Sequence, residues 1–130
     1  MTVKDVNFEN NSLKRIDFKK SRLTNCNFKN SNLARAYLKG TEINNCDFSG
    51  AKLKQVNFTD AKLVDVDMSK TDLRGAILTY KSAENINLKG AVYDQYTKFN
   101  DDFNPEKHGM IYEMSSLAVY NGDLMKREEE

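Results

Sequence analysis

Every fifth residue from Val3 to Tyr93 is apolar. The column reads Val3, Phe8, Leu13, Phe18, Leu23, Phe28, Leu33, Leu38, Ile43, Phe48, Leu53, Phe58, Leu63, Met68, Leu73, Leu78, Ala83, Leu88, Tyr93. Hydrophobic residues make up 39% of the chain, so nineteen successes in a row would arise by chance roughly once in 10⁸ trials. A second column of small or β-branched residues lies two places before each centre and includes Val6, Ile16, Cys26, Ala36, Cys46, Val56 and Val66. The other three positions of each five carry mostly Asn, Asp, Lys, Arg, Ser, Thr and Gly, the composition of a solvated surface. A period of five matches neither the 3.6 of a helix nor the 2 of a strand, so the chain must bend once per repeat to keep its centres inward. A chain that bends this way winds about an axis, with successive turns stacked at strand spacing, about 4.8 Å. Similarity also recurs at twenty: NCNF at 25–28 returns as NCDF at 45–48. Four repeats per turn account for that.

Blocks such as NSNLARAYLKG, SGAKLKQVNFTDAKL and KTDLRGAIL resemble the pentapeptide-repeat family, whose loose consensus is A(D/N)Lxx, with the likeness spanning residues 3–95. The resemblance implies an all-β fold, a right-handed quadrilateral β-helix of about four and a half coils. The segment GAVYDQYTKFNDDFNPEKHGM resembles the exit segment of short cyanobacterial members. We therefore expect a β-helix over 1–95, followed over 96–130 by an exit segment, a capping α-helix and an acidic tail. Asn104 before Pro105 is a good helix start, and Met110, Ile111, Met114, Leu117 and Ala118 fall at helical spacing.

Within this register Phe8, Phe28 and Phe48 stack in one column and Leu13, Leu33, Leu53 and Leu73 in another, while Phe18 and Phe58 complete the expected core. Each repeat touches only its neighbours, so the ends of the stack expose unpaired backbone and apolar faces. Nothing precedes the repeats at the N-terminal end, and the uncovered first coil is expected to form a homodimer, end to end.

Chemistry has few footholds. The one histidine, His108, lies beyond the repeats and reads as a solvated bystander. Phosphate-binding, dinucleotide-binding and zinc-protease motifs are missing from the sequence. Asp47 and Asp67, stacked one coil apart near Asp65, could in principle hold a divalent ion, but in the family such positions usually serve the backbone turns. Cys26 and Cys46 lie one coil apart, near enough in principle to be bridged, and read as two small buried thiols. No cofactor, metal or enzymatic activity is expected. No stretch is apolar enough for a transmembrane span or a secretory signal, and two cysteines without a CxxC fit a reducing compartment, so the expected location is the cytoplasm.

Function is then expected in the outward surface. The face centred on Leu13, Leu33, Leu53 and Leu73 presents Lys14, Arg15, Arg35, Lys52, Lys54 and Arg74 against Asp72 alone. The opposite face carries Asn25, Glu42, Asn44, Asn45, Asp65, Glu84 and Asn85 with Arg22 and Lys62. Formal charge over the whole chain is only +1, but that is a cancellation: residues 1–95 hold 16 bases and 11 acids, and 96–130 hold 4 bases and 8 acids. Tyr37, Ile77 and Tyr80 break the polar rule. Either they form an apolar contact patch beside Lys19, Lys20 and Lys39, or the C-terminal segment folds back over Tyr37 and Ile77. The reading is a non-catalytic interaction or regulatory scaffold with an unknown protein partner. Its alternatives are the DNA-mimic type of gyrase binder known in the family, which needs a long acidic surface, and weak nucleic-acid binding through the basic face, disfavoured because that face lacks interleaved aromatics.

Overall fold

The corners of the molecule are made by one backbone position. Every residue whose number is a multiple of five, from Asp5 to Gly90, has positive φ, with Tyr80 the single exception. Left-handed backbone reverses the chain within one residue. Asn and Asp enter this region more readily than other side chains, and glycine enters it freely. At most corners the amide of the small-column residue then closes a turn onto the carbonyl of the preceding centre, as in Ser31 to Phe28 at 3.0 Å and Ala36 to Leu33 at 2.9 Å. Small-column hydroxyls reinforce it: Ser31 Oγ donates to the Phe28 carbonyl at 2.6 Å and Thr41 Oγ1 to that of Leu38 at 2.7 Å. On the entry side, the carboxylate or amide oxygen before a centre accepts the amide two residues on, as Asp47 does from Ser49 at 2.8 Å and Asp67 from Ser69 at 2.9 Å. These two aspartates serve turns, as the family resemblance implied.

Bends at every fifth residue give a four-sided coil, and in the computed structural model, which describes residues 1–116, the coils stack as a parallel β-solenoid of about six turns. Among the described residues, nine short strands carry the ladder: β1 Thr2–Lys4, β2 Arg22–Thr24, β3 Glu42–Asp47, β4 Lys62–Asp67, β5 Ile77–Leu78, β6 Ser82–Asn87, β7 Val92–Tyr93, β8 Lys98–Phe99 and β9 Ile111–Tyr112. The main sheet runs β1-β2-β3-β4-β6, all parallel, each residue paired with the one twenty places later. The other sides are tied by single bridges with the same offset, such as Ser12 to Asn32 and Asp17 to Tyr37. We number the sides by their centres: first (Leu23, Ile43, Leu63), second (Phe8, Phe28, Phe48), third (Leu13, Leu33, Leu53, Leu73) and fourth (Phe18, Leu38, Phe58, Leu78).

The core is one column of stacked layers. Leu23, Phe28, Leu33, Leu38, Ile43, Phe48, Leu53, Phe58, Leu63, Leu73 and Leu78 have no solvent exposure. The rings of Phe8, Phe28 and Phe48 lie face to face at centroid distances of 4.9 and 4.7 Å. Phe18 is also buried, whereas Phe8 and Leu13, in the first coil, stay partly open because nothing described lies over them.

Two expectations are corrected. The stack exceeds four and a half coils because the ladder continues past residue 95: β8 pairs with β5 at an offset of 21 and β9 with β7 at an offset of 19. No capping α-helix forms among the described residues. Asn104 and Pro105 start only a three-residue 3-10 turn, Glu106–His108, which ends at Gly109 with φ 73°. Met110 then turns into the core and Ile111 donates its amide to Ala91 at 2.8 Å. Coil five presents unpaired backbone and apolar side chains to this segment, and ladder bonds plus burial outweigh a helix that would satisfy neither. Leu117 and Ala118 lie outside the described residues.

The corner rule makes one stability prediction. Lys20 holds φ 58° with an exposed side chain, so Lys20→Gly should stabilise the fold by about 0.5–1 kcal/mol through relief of left-handed strain, net of glycine's greater unfolded freedom. A rise of a few degrees in Tm by circular dichroism is expected; a fall would contradict the strain argument.

Candidate interaction surfaces

Because centres and small residues point inward, each side displays a fixed set of outward residues, and the third side gathers the basic ones. Lys14, Arg15 and Lys52 are exposed; Arg35, Lys54 and Arg74 are half-buried. Asp72 divides the stripe. Its carboxylate takes Arg74 in two bonds, Nε to Oδ1 at 2.9 Å and NH2 to Oδ2 at 2.8 Å, and Lys54 Nζ lies 3.9 Å from Oδ2. At the other end Arg35 Nε donates to Gln55 Oε1 at 3.1 Å along the corner column. Partial burial, then the neighbouring Arg15, lowers the Arg35 pKa. The sequence placed six cations on one side; in the structure Asp72 draws Arg74 and Lys54 to it, while Lys14, Arg15 and Lys52 stay exposed.

The first side is its counterpart. Side-chain amides ladder along its corner: Asn25 donates to Asp5 at 3.1 Å, Asn45 to Asn25 at 2.8 Å and Asn85 to Asp65 at 2.8 Å. Between this rail and the Asn27, Asp47, Asp67, Asn87 rail runs an open groove of ≈ 430 Å³, with Cys26, Cys46 and Val66 in its lining. Both cysteines are free and buried. The Cys46 thiol donates to the carbonyls of Leu23 and Asn44, each at 3.4 Å, and burial pushes its pKa up to about 12. Among the described residues, no three His, Cys, Asp or Glu side chains gather as a metal would require.

The three apolar outliers do not share one surface. Tyr37 is exposed with Lys19 Nζ 5.5 Å from its ring centroid. Ile77 is paired in the β5–β8 ladder. Tyr80 lies edge-on to Phe103 at 6.5 Å, and its carbonyl accepts Asn100 Nδ2 at 3.2 Å. The described part of the C-terminal segment thus pairs with Ile77 and packs on Tyr80, and it is not in contact with Tyr37 in any ring or ladder pairing. His108 is exposed and stacks on Phe103 at 4.5 Å.

A right-angled parallel solenoid with a filled core and chemically distinct flat sides defines a repeat scaffold. The chain belongs to the pentapeptide repeat family: eight copies of the family's repeat match residues 4–40 and 41–79, more than half of its length. Among solved structures it is similar to a pentapeptide repeat protein from the Arabidopsis thaliana thylakoid lumen, at 27% identity and a TM-score of 0.72 over 78% of this chain and 70% of that one. Its fold is also similar to full-length QnrB1, a plasmid-mediated fluoroquinolone resistance protein, at 15% identity and a TM-score of 0.59 over 100% of both chains. No curated protein matches the sequence. No helix among the described residues is long and apolar enough to cross a membrane.

Proposed function

We propose that this protein is a non-catalytic scaffold whose third side docks an acidic protein partner in a reducing compartment such as the cytoplasm. The observation that carries the reading is the cluster of exposed Lys14, Arg15 and Lys52 on one rigid flat side, with Asp72 on that side engaged by Arg74. A preformed surface loses little entropy on binding, and its charge favours encounter with a carboxylate-rich surface. The expected outcome is that affinity capture from the native host yields a salt-sensitive partner, lost when Lys14, Arg15 and Lys52 are all changed to Glu. A partner set unchanged by the triple substitution would overturn the assignment. A gyrase-directed DNA mimic needs an acidic surface in place of this stripe, and inhibition or protection of supercoiling by added protein would revive it. Steeply salt-dependent DNA retention would do the same for nucleic-acid binding. A second partner in this reading is another copy of the chain, at the open first coil.

A further inference from the structure

We propose that two copies pair through their first coils, head to head and antiparallel, about a two-fold axis passing between Asn10 and Asn11; the geometry rests on the self-association reading just given. In the second coil the amides of Arg22, Asn27, Asn32 and Tyr37 donate to the coil above, and the carbonyls of Thr24, Asn27, Lys29, Asn32, Ala34, Tyr37 and Lys39 accept from it. By the same geometry the first coil turns the amides of Thr2, Asn7, Ser12 and Asp17 and the carbonyls of Lys4, Asn7, Glu9, Ser12, Lys14, Asp17 and Lys19 out of its end, where no described residue meets them. Val3, Phe8, Leu13 and Ile16 are partly exposed there and Val6 is exposed, whereas their equivalents one coil in, Leu23, Cys26, Phe28, Leu33 and Ala36, are buried.

The occupant follows from the shape and charge of that end. A continuing parallel stack would need the C-terminal end of another copy, but there the last pairings are offset by 21 and 19 residues, out of step with the twenty-residue register of the first coil. The first-coil end is instead a ramp that descends one strand spacing per circuit. Two ramps of the same hand stay evenly spaced around the whole circuit when a two-fold passes through the corner opposite the chain start. That corner is Asn10–Asn11.

This axis sets Thr2 against Lys19, Lys4 against Asp17, Asn7 against Lys14 and Glu9 against Ser12 of the second copy. Each outward amide then faces an outward carbonyl: Thr2 to Lys19, Asn7 to Lys14, Ser12 to Glu9 and Asp17 to Lys4. Val3 meets Phe18 and Phe8 meets Leu13, so the apolar end is covered from every side. No like-charged side chains are directly opposed, and the Lys4–Asp17 pair occurs twice by symmetry. An isologous contact of this kind closes at two copies and leaves Lys52 and Lys54 of the basic third side clear of the contact.

Sedimentation equilibrium of the full chain is expected to give a dimer at tens of micromolar. Lys4→Glu, which sets Glu against Asp17 twice, should weaken association at least tenfold, and adding Asp17→Lys to it should restore the dimer. Glu9→Cys combined with Ser12→Cys, both exposed positions, should form an oxidised covalent dimer that neither single variant forms; circular dichroism confirms the fold of each variant. A wild-type monomer throughout that range removes the self-association reading. A dimer that ignores the charge reversal and does not cross-link between residues 9 and 12 keeps self-association and sinks this geometry.

Discussion

Phe28→Ala is expected to lower the unfolding free energy by about 3–5 kcal/mol, the usual cost of deleting a buried aromatic. The ring has no solvent exposure and is held between Phe8 at 4.9 Å and Phe48 at 4.7 Å, with Phe18 edge-on at 6.2 Å. The site cannot collapse easily, because the ladder fixes each coil at strand spacing from its neighbours and the void opens in the middle of a stack. Against a typical domain stability of about 5–15 kcal/mol, that loss removes a large share. Urea unfolding followed by far-ultraviolet circular dichroism should show a much lower midpoint. Leu13→Ala, at a partly open end position, should cost far less; equal losses at the two sites would contradict the layered account of the core.

The second large effect is chemical. Cys46 has its pKa pushed to about 12 by burial, so near pH 8 its thiolate population should lie roughly a thousandfold below that of an ordinary cysteine with a pKa near 8.5–9. Maleimide labelling of Cys46 in native protein should therefore be slower by at least that factor and should accelerate on unfolding. Linkage gives the sign of the pH effect: a folded pKa above the unfolded one stabilises the fold fully below about pH 9 and is lost as pH rises towards 12. The wild-type chain should lose stability across that window more steeply than Cys46→Ala. Parallel slopes for the two proteins, or native labelling at the rate of a free thiol, would refute the burial argument.

Much of the architecture could be read directly from residue order. The apolar column from Val3 to Tyr93 and the similarity at twenty specified coils and stacking, and the structure pairs Leu23 with Ile43 and Leu63 as that register requires. The left-handed corner column was legible too but went unread. Asn, Asp or Gly fills twelve of the eighteen positions at multiples of five from Asp5 to Gly90, a bias with a direct steric cause. The irregularity around Tyr80 was visible as Lys81 and Ala83 out of pattern, and the structure supplies its cause: Tyr80 is the one corner without positive φ, and its side chain packs under Phe103.

The basic stripe was legible as a set of residues but not as a field. Asp72 lies two residues before Arg74 in the chain and twenty residues from Lys52, and only side-chain rotamers decide that it takes Arg74 in two bonds and draws Lys54 to 3.9 Å. The segment after residue 95 misled for a related reason. Helical spacing at Met110, Ile111 and Met114 is a local signal, but the competing offer was a row of unpaired groups at Ala91 and Tyr93, about twenty residues away in the chain and one strand spacing away in space.

By itself the sequence determined the repeat length, the inward and outward assignment of residues and the columns they form, because a five-residue bend with apolar centres has one way to bury them. Tertiary structure alone decided the number of coils, the fate of the exit segment and which cations Asp72 engages. Those outcomes depend on contacts between residues far apart in the chain, where the energy of completing a ladder or pairing a charge competes with local preference and no repeat pattern records the result.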